Sequence, residues 1–184
     1  MLSDEILYKQ YIGGNAEAAT PLVERYGNPL TLYINNYIQD IHEAEDLMIE
    51  AFSLLFAKER PIKGEGAFKA YLFKTARNLA FRHRQKHRFL FLRLEELPFE
   101  LKSDALAETA LFQNERNRQL YQAMEQIKQE YREAVYLVYF EGLSYQNTAL
   151  VMGKNEQQIT NLVYRGKQSL KKLLEKEGFV YEDN

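Results

Sequence analysis

The chain has no cysteine. Neither a disulfide framework nor a cysteine-ligated metal site is therefore available to it. Histidine is scarce, at three copies (His42, His83 and His87), and no glycine-rich loop of the phosphate-cradling kind occurs. These shortages argue against an enzyme. No uninterrupted apolar run is long enough to cross a bilayer. The start, Met1-Leu2-Ser3-Asp4-Glu5, lacks the basic and apolar stretches of a signal peptide. The expectation is a soluble cytoplasmic protein with no membrane insertion. What is present is globular in balance: 184 residues, 46% hydrophobic and 27% charged. That length allows one domain or two small ones.

The net charge of -2 hides a strong segregation. Residues 1–60 carry ten acids against four bases, whereas residues 69–93 carry eight bases and no acid. Residues 95–115 return six acids against Lys102, and residues 165–176 hold five bases against Glu175. Two separated basic blocks suit a polyanion contacted at two places. A pair of solvated helix faces would show the same charges.

Helical periodicity dominates and no alternating strand stands out. Ser3 starts a helix that Gly13-Gly14 stops, and Asn15 can cap a second, interrupted near Gly27-Asn28-Pro29 and resuming at Leu30. Asp40 precedes a helix to about Lys58, with Leu47, Ala51, Leu54 and Leu55 as its buried stripe. After a breaker-rich loop at residues 60–66, a helix runs from Ala67 to about His87. Its Phe68, Leu72, Ala76 and Leu79 face inward, while Phe73, Lys74, Arg77, Asn78, Phe81 and Arg84 share another face. Helices resume near Gln113, break at Gly142 and again at Gly153, and fade near Gly178. The predicted fold class is all-α: two helical domains, residues 1–93 and 117–184, joined by an acidic linker at 94–116, the C-terminal domain being a helix-turn-helix.

The helix-turn-helix reading rests on spacing. With Tyr145 as its first position, Ala149 falls fifth, Gly153 ninth and Ile159 fifteenth. A small Ala149 lets the second helix approach, Gly153 takes the left-handed turn, and Ile159 with Val163 fills the wedge between helices. Ser144 and Asn155 are natural N-caps. The second helix then presents Gln157, Gln158, Thr160, Asn161, Tyr164 and Arg165 outward, with Lys167 beyond. Amide side chains suit adenine edges, and cations suit phosphates. An ordinary helical hairpin with a glycine turn is the plainer alternative.

Gly142-Leu143-Ser144-Tyr145, then Ala149, Gly153, Ile159 and Arg165-Gly166-Lys167-Gln168-Ser169-Leu170, resembles region four of the extracytoplasmic-function (ECF) sigma factors of the sigma-70 family. Ala44-Glu45-Asp46-Leu47 with Glu50 and Phe52 is similar to the region-two helix that docks on the polymerase clamp. Phe68-Lys69-Ala70-Tyr71-Leu72 with Ala76-Arg77-Asn78 resembles the part of region two that opens and reads the minus-ten element. The resemblance implies a non-enzymatic subunit that directs RNA polymerase core to promoter DNA, needs no cofactor, and answers to an anti-sigma factor. It implies polymerase contacts at Asp46, Leu47, Glu50 and Phe52. It implies minus-ten contacts at Tyr71, Lys74, Arg77, Asn78, Arg82 and Arg84, and minus-thirty-five contacts at Gln157, Gln158, Thr160, Asn161, Tyr164, Arg165 and Lys167. The resemblance implies that the acidic linker takes the RNA-exit path; a merely solvated linker would carry the same charges.

The chain departs from the family pattern at Ile49, usually glutamine, and at Tyr71, usually tryptophan. Thr160 and Leu162 stand where cations are common, and Lys128 where proline is. The physical reading runs parallel: cations for phosphates and aromatic faces for unstacked bases are what melted DNA needs, and Phe73, Phe81, Lys74, Arg77 and Asn78 offer both, although Phe73 and Phe81 would equally serve to pack against neighbouring helices. Two rivals stand beside it. One is a helix-turn-helix regulator that binds duplex DNA on its own, which leaves the basic block at 69–93 without a role. The other is a metal site at His83 and His87, four apart on a helix; Arg82, Arg84, Lys86 and Arg88 around them would repel a cation, so no metal is expected.

Overall fold

The computed structural model describes residues 2–93 and 115–176, all of it helix and connecting turn, with no strand among the described residues. The acidic stretch 94–114 and the end beyond 176 lie outside them. The chain divides into two compact units, Met1–Leu106 and Ala107–Asn184.

In the first unit, Ser3 caps α1 (Asp4–Ile12), its hydroxyl accepting from the Ile6 amide, and Gly13 closes it. A single 3-10 turn, Ala16–Ala19, then leads into α2 (Thr20–Ile38). Helix α2 is not interrupted at Gly27-Asn28-Pro29, contrary to the sequence expectation; it runs straight through Pro29. Proline inside a helix costs about 3 kcal/mol. Leu22, Tyr26, Leu30, Tyr33, Ile34 and Tyr37 are all buried on one side of α2, on both flanks of the proline. Each large side chain gains roughly 1.5–3 kcal/mol on burial, which outweighs the local defect.

Asp40 caps α3 (Ile41–Phe56), accepting from the amides of His42 and Glu43. The buried stripe of α3 is Ala44, Ala51, Phe52 and Leu55. Leu54, expected inside, is exposed, and Leu47 is half-buried. Helix α4 (Ala67–Arg93) buries Phe68, Leu72, Ala76 and Leu79 as expected. It also buries Phe73, which the sequence had suggested for an exposed face. Tyr8 of α1 ties the layers together: its ring lies 5.3 Å from that of Phe68, and its hydroxyl donates to the Leu55 carbonyl at 3.2 Å. Asp4 accepts from both the Arg25 guanidinium and the Tyr26 hydroxyl, holding α1 against α2. Burial first, and then the hydrogen bond to Asp4, push the Tyr26 hydroxyl far above the ordinary tyrosine range.

The second unit contains α5 (Glu115–Gln126), α6 (Gln129–Val135), one π-helical turn at Tyr136–Phe140, α7 (Tyr145–Met152) and α8 (Glu156–Lys176). A break at Ile127-Lys128 separates α5 from α6. Helix α8 buries Ile159, Val163, Gly166, Leu170 and Leu174, one residue per turn along a single side.

At Gly166 α8 passes close to α6. A Cβ built there would lie 2.7 Å from Val135 Cγ2 and 3.2 Å from the Tyr131 carbonyl oxygen. In an open helix Gly→Ala would gain about 1 kcal/mol. Here overpacking, typically 1–3 kcal/mol, opposes and exceeds that gain. Gly166→Ala is therefore expected to lower the urea midpoint of the C-terminal unit. A raised midpoint would mean that α6 and α8 are not held this close.

Candidate nucleic-acid interface

Local chemistry builds the turn between α7 and α8. The Ser144 hydroxyl accepts from the Asn147 amide at 3.1 Å and starts α7. Gly153 closes it in the left-handed region, at φ 64° and ψ 39°. There the amides of Gly153 and Lys154 turn back on the Ala149 carbonyl. Ala149 is buried, and Ile159 and Val163 fill the wedge between the helices.

The start of α8 is a reciprocal capping box. Asn155 Oδ1 accepts from the Gln158 amide at 2.8 Å, and Gln158 Oε1 accepts from the Asn155 amide at 2.9 Å. Gln158 was expected to face a base edge; its side chain is instead engaged in the cap. The Asn-x-x-Gln spacing carried that signal in the sequence. Thr160 is likewise turned inward along its own helix, its hydroxyl donating to the Glu156 carbonyl at 3.0 Å.

All seven residues expected on this surface are exposed, Tyr164 most plainly at 64%. They do not share one stripe. At about 100° per residue, Gln157, Asn161, Tyr164 and Gln168 lie within roughly 60° of one another, opposite the buried side. Arg165 and Lys172 flank this stripe on one side, and Lys167 and Lys171 on the other. Lys167 Nζ sits 5.5 Å from the centre of the Tyr139 ring, itself half exposed. Sequence reasoning passed over Tyr139. It lies in the π-helical turn, where helical spacing gives no guide to its direction.

The first unit offers a second exposed stripe. On α4, Tyr71, Lys74, Asn78 and Arg82 fall within about 80° of each other. Tyr71, at 42% exposed, is its aromatic member. Arg77 and Arg84 lie to one side of it. The other aromatics expected here are taken up by packing: Phe73 lies 5.1 Å from the Tyr33 ring and Phe81 5.2 Å from the Tyr37 ring. Arg77 covers Phe81, its guanidinium 4.5 Å from the ring centre. On α3, Asp46 and Glu50 are exposed, with Leu47 half-buried beside them. Phe52 is 4% exposed and stacks on Phe56, so it belongs to the core rather than to a surface. The structure brings Glu50 to Arg82 at 3.9 Å, two residues the sequence had given to separate surfaces.

The class these units define is a two-part helical protein whose C-terminal part is a helix-turn-helix. The family models described as "Sigma-70 region 2" and "Sigma-70, region 4" match residues 22–89 and 117–170. The chain is 32% identical over 166 residues to the ECF RNA polymerase sigma factor BldN of Streptomyces coelicolor, covering 88% of this chain and 62% of that one. It is 26% identical over 181 residues to the RNA polymerase sigma-H factor of Pseudomonas aeruginosa, covering 94% of each. In fold it is similar to the sigma factor RpoE solved with the anti-sigma factor NepR from Bartonella quintana: TM-score 0.69, 20% identity, 85% of this chain and 96% of that one. It is also similar to CnrH solved with the cytosolic domain of CnrY: TM-score 0.63, 20% identity, 94% and 97% covered. This chain belongs to the sigma-70 family, in its extracytoplasmic-function group. No described helix is long and apolar enough to cross a membrane.

The capping box makes a prediction that a base-reading role alone would not. Gln158→Ala and Asn155→Ala should each destabilise the C-terminal unit by about 0.5–2 kcal/mol. Gln157→Ala, whose side chain only faces outward, should leave stability within about 0.5 kcal/mol. Urea titrations of the three variants compare them; equal stabilities would dissolve the distinction.

Proposed function

We propose that this chain acts without enzymatic activity, as a sigma factor that brings RNA polymerase core to promoters and helps open them. Its α3 docks on core, α4 holds the melted minus-ten strand, and α8 reads the minus-thirty-five element. The observation that carries the reading is that two units of one chain each present an exposed stripe of polar and aromatic side chains with cations in or beside it. On α8 the cations lie along both edges. A helix in the major groove needs that arrangement, base readers in the middle and phosphate partners towards either strand. On α4 the exposed ring of Tyr71 shares a stripe with Lys74 and Arg82, the pairing a single strand requires. A regulator binding duplex DNA alone would leave α4 unused.

The proposed domains follow the family order: residues 1–93 for docking and opening, 94–116 as linker, and 117–184 for upstream recognition. The proposed base readers are Gln157, Asn161 and Tyr164, with Arg165, Lys167, Lys171 and Lys172 towards phosphates. Gln158 and Thr160 contribute by shaping the helix start. An anti-sigma factor is the natural inhibitor to propose, since RpoE was solved bound to one. The place of action is wherever the polymerase is, inside the cell.

Asp46 and Glu50 lie one turn apart on an exposed side of α3. Asp46→Arg is expected to weaken binding to core polymerase about tenfold, or ~1.4 kcal/mol, with helicity unchanged by circular dichroism. Undiminished affinity in a fluorescence-anisotropy titration with core would remove α3 from the interface.

Sequence reading and attachment can be separated on α8. With reconstituted holoenzyme, Gln157→Ala or Asn161→Ala should change which randomised minus-thirty-five elements are selected, at about 1–3 kcal/mol for the affected base pair. Lys167→Ala should weaken all elements alike and lower the salt slope by about one. Identical selections from all three variants would refute these contact roles.

A further inference from the structure

The sequence set aside His83 and His87 as metal ligands because cations flank them along the chain. The fold changes both halves of that argument. At about 100° per residue, Arg82, Arg84 and Lys86 project roughly 60–140° away from the two imidazoles around α4. Arg82 is, moreover, directed to Glu50. His83 and His87 continue the side of α4 that packs on α3, one turn beyond Leu79 and Ala80. There they meet a carboxylate forty residues away along the chain, Glu43 in the first turn of α3.

Glu43 Oε2 lies 2.6 Å from His83 Nε2 and 3.9 Å from His87 Nε2. The two imidazole rings are stacked, centroids 4.3 Å apart and planes 30° from parallel. One ligand atom from each of the three residues falls within 4.8 Å of the others. Four ligands at about 2.0–2.1 Å around zinc stand roughly 3.4 Å apart, midway in that range of separations. His83 is mostly covered and Glu43 and His87 are partly exposed, so small rotations suffice and a water can complete the shell. Asp46 and Glu50, within about 60° of Glu43 around the same helix, add negative potential.

We propose that Glu43, His83 and His87 form a binding site for a divalent transition metal of the zinc type. Two neutral imidazoles with one carboxylate is a donor set for zinc, cobalt or nickel, not for magnesium or calcium, which favour all-oxygen shells. The bound ion joins the start of α3 to α4 beyond its buried core. Glu50 and Arg82 already meet across the same two helices. The Tyr71–Asn78–Arg82 stripe lies on another side of α4, so occupancy leaves it open.

The test uses full-length protein without a histidine tag, and zinc alone as probe, read by competition with a chromophoric chelator and by thermal melting. Wild type should take up one zinc and melt several degrees higher when loaded, because the ion binds only the folded form. Glu43→Gln and His87→Ala should each weaken uptake tenfold or more. His42→Ala, whose imidazole lies outside the cluster, should bind as wild type does. His87 is half-exposed, so the zinc-free melting point of His87→Ala should match wild type and show that folding is intact. Wild type that takes up no zinc in excess, or Glu43→Gln and His87→Ala that both bind as tightly as wild type, would overturn the site. Neither readout involves polymerase or DNA, so failure here leaves the promoter reading untouched.

Discussion

Phe68, Phe73 and Phe81 on α4 meet Tyr26, Tyr33 and Tyr37 on α2, ring against ring, with centroids 6.1, 5.1 and 5.2 Å apart. Each such pair adds roughly 0.5–1.5 kcal/mol beyond the apolar area it buries. Their larger consequence is rotational. Because a ring cannot turn out of a close-packed layer without leaving a void, the layer fixes how α4 is rotated about its own axis. That rotation puts Tyr71, Lys74, Asn78 and Arg82 outward together and sends His83 and His87 towards α3. It also buries Phe73, covers part of Phe81, and leaves Tyr71 as the exposed ring among the described side chains of α4.

The C-terminal unit reaches an equivalent result without aromatics on the buried side of its long helix. Gly166 permits a backbone-close crossing with α6, and Ile159 and Val163 wedge against α7. Rotation of α8 is then set by one residue per turn, and Gln157, Asn161 and Tyr164 follow as the outward centre. The capping box fixes where the helix begins, hence which amide leads the stripe.

Local signals carried most of this. Ser3, Asp40, Ser144 and Asn155 cap where the sequence placed caps, and the left-handed Gly153 and the buried Ala149, Ile159 and Val163 follow from spacing alone. The failures share a physical cause, that an aromatic or a leucine does not announce which of two neighbouring faces will be covered. Phe73 went inside against Tyr33 of α2, Phe52 was buried and Leu54 stayed out; which face a neighbouring helix covers is tertiary information. The continuity of α2 through Pro29 is of the same kind, a local penalty overruled by packing. Gln158 was different: its capping role was written in the Asn-x-x-Gln spacing and was overlooked in favour of its amide chemistry.

The Glu50–Arg82 contact shows why such distinctions bear on function. At 3.9 Å, with both side chains at least half exposed, the pair contributes about 0–1 kcal/mol and does little for stability. Its effect lies elsewhere. Under the proposed roles Glu50 belongs to the polymerase-facing side of α3 and Arg82 to the strand-facing stripe of α4. A polymerase cation that takes Glu50 releases Arg82, whose charge is then free for a phosphate. The release costs little because the pair is weak, and under the proposed roles it is mutual: docking on core favours the DNA-ready form of α4, and a phosphate that takes Arg82 equally frees Glu50 for core. A buried, strong pair at the same place would hold Arg82 back even in the complex. A surface ion pair too weak to support the fold is, for that reason, well suited to link its two faces.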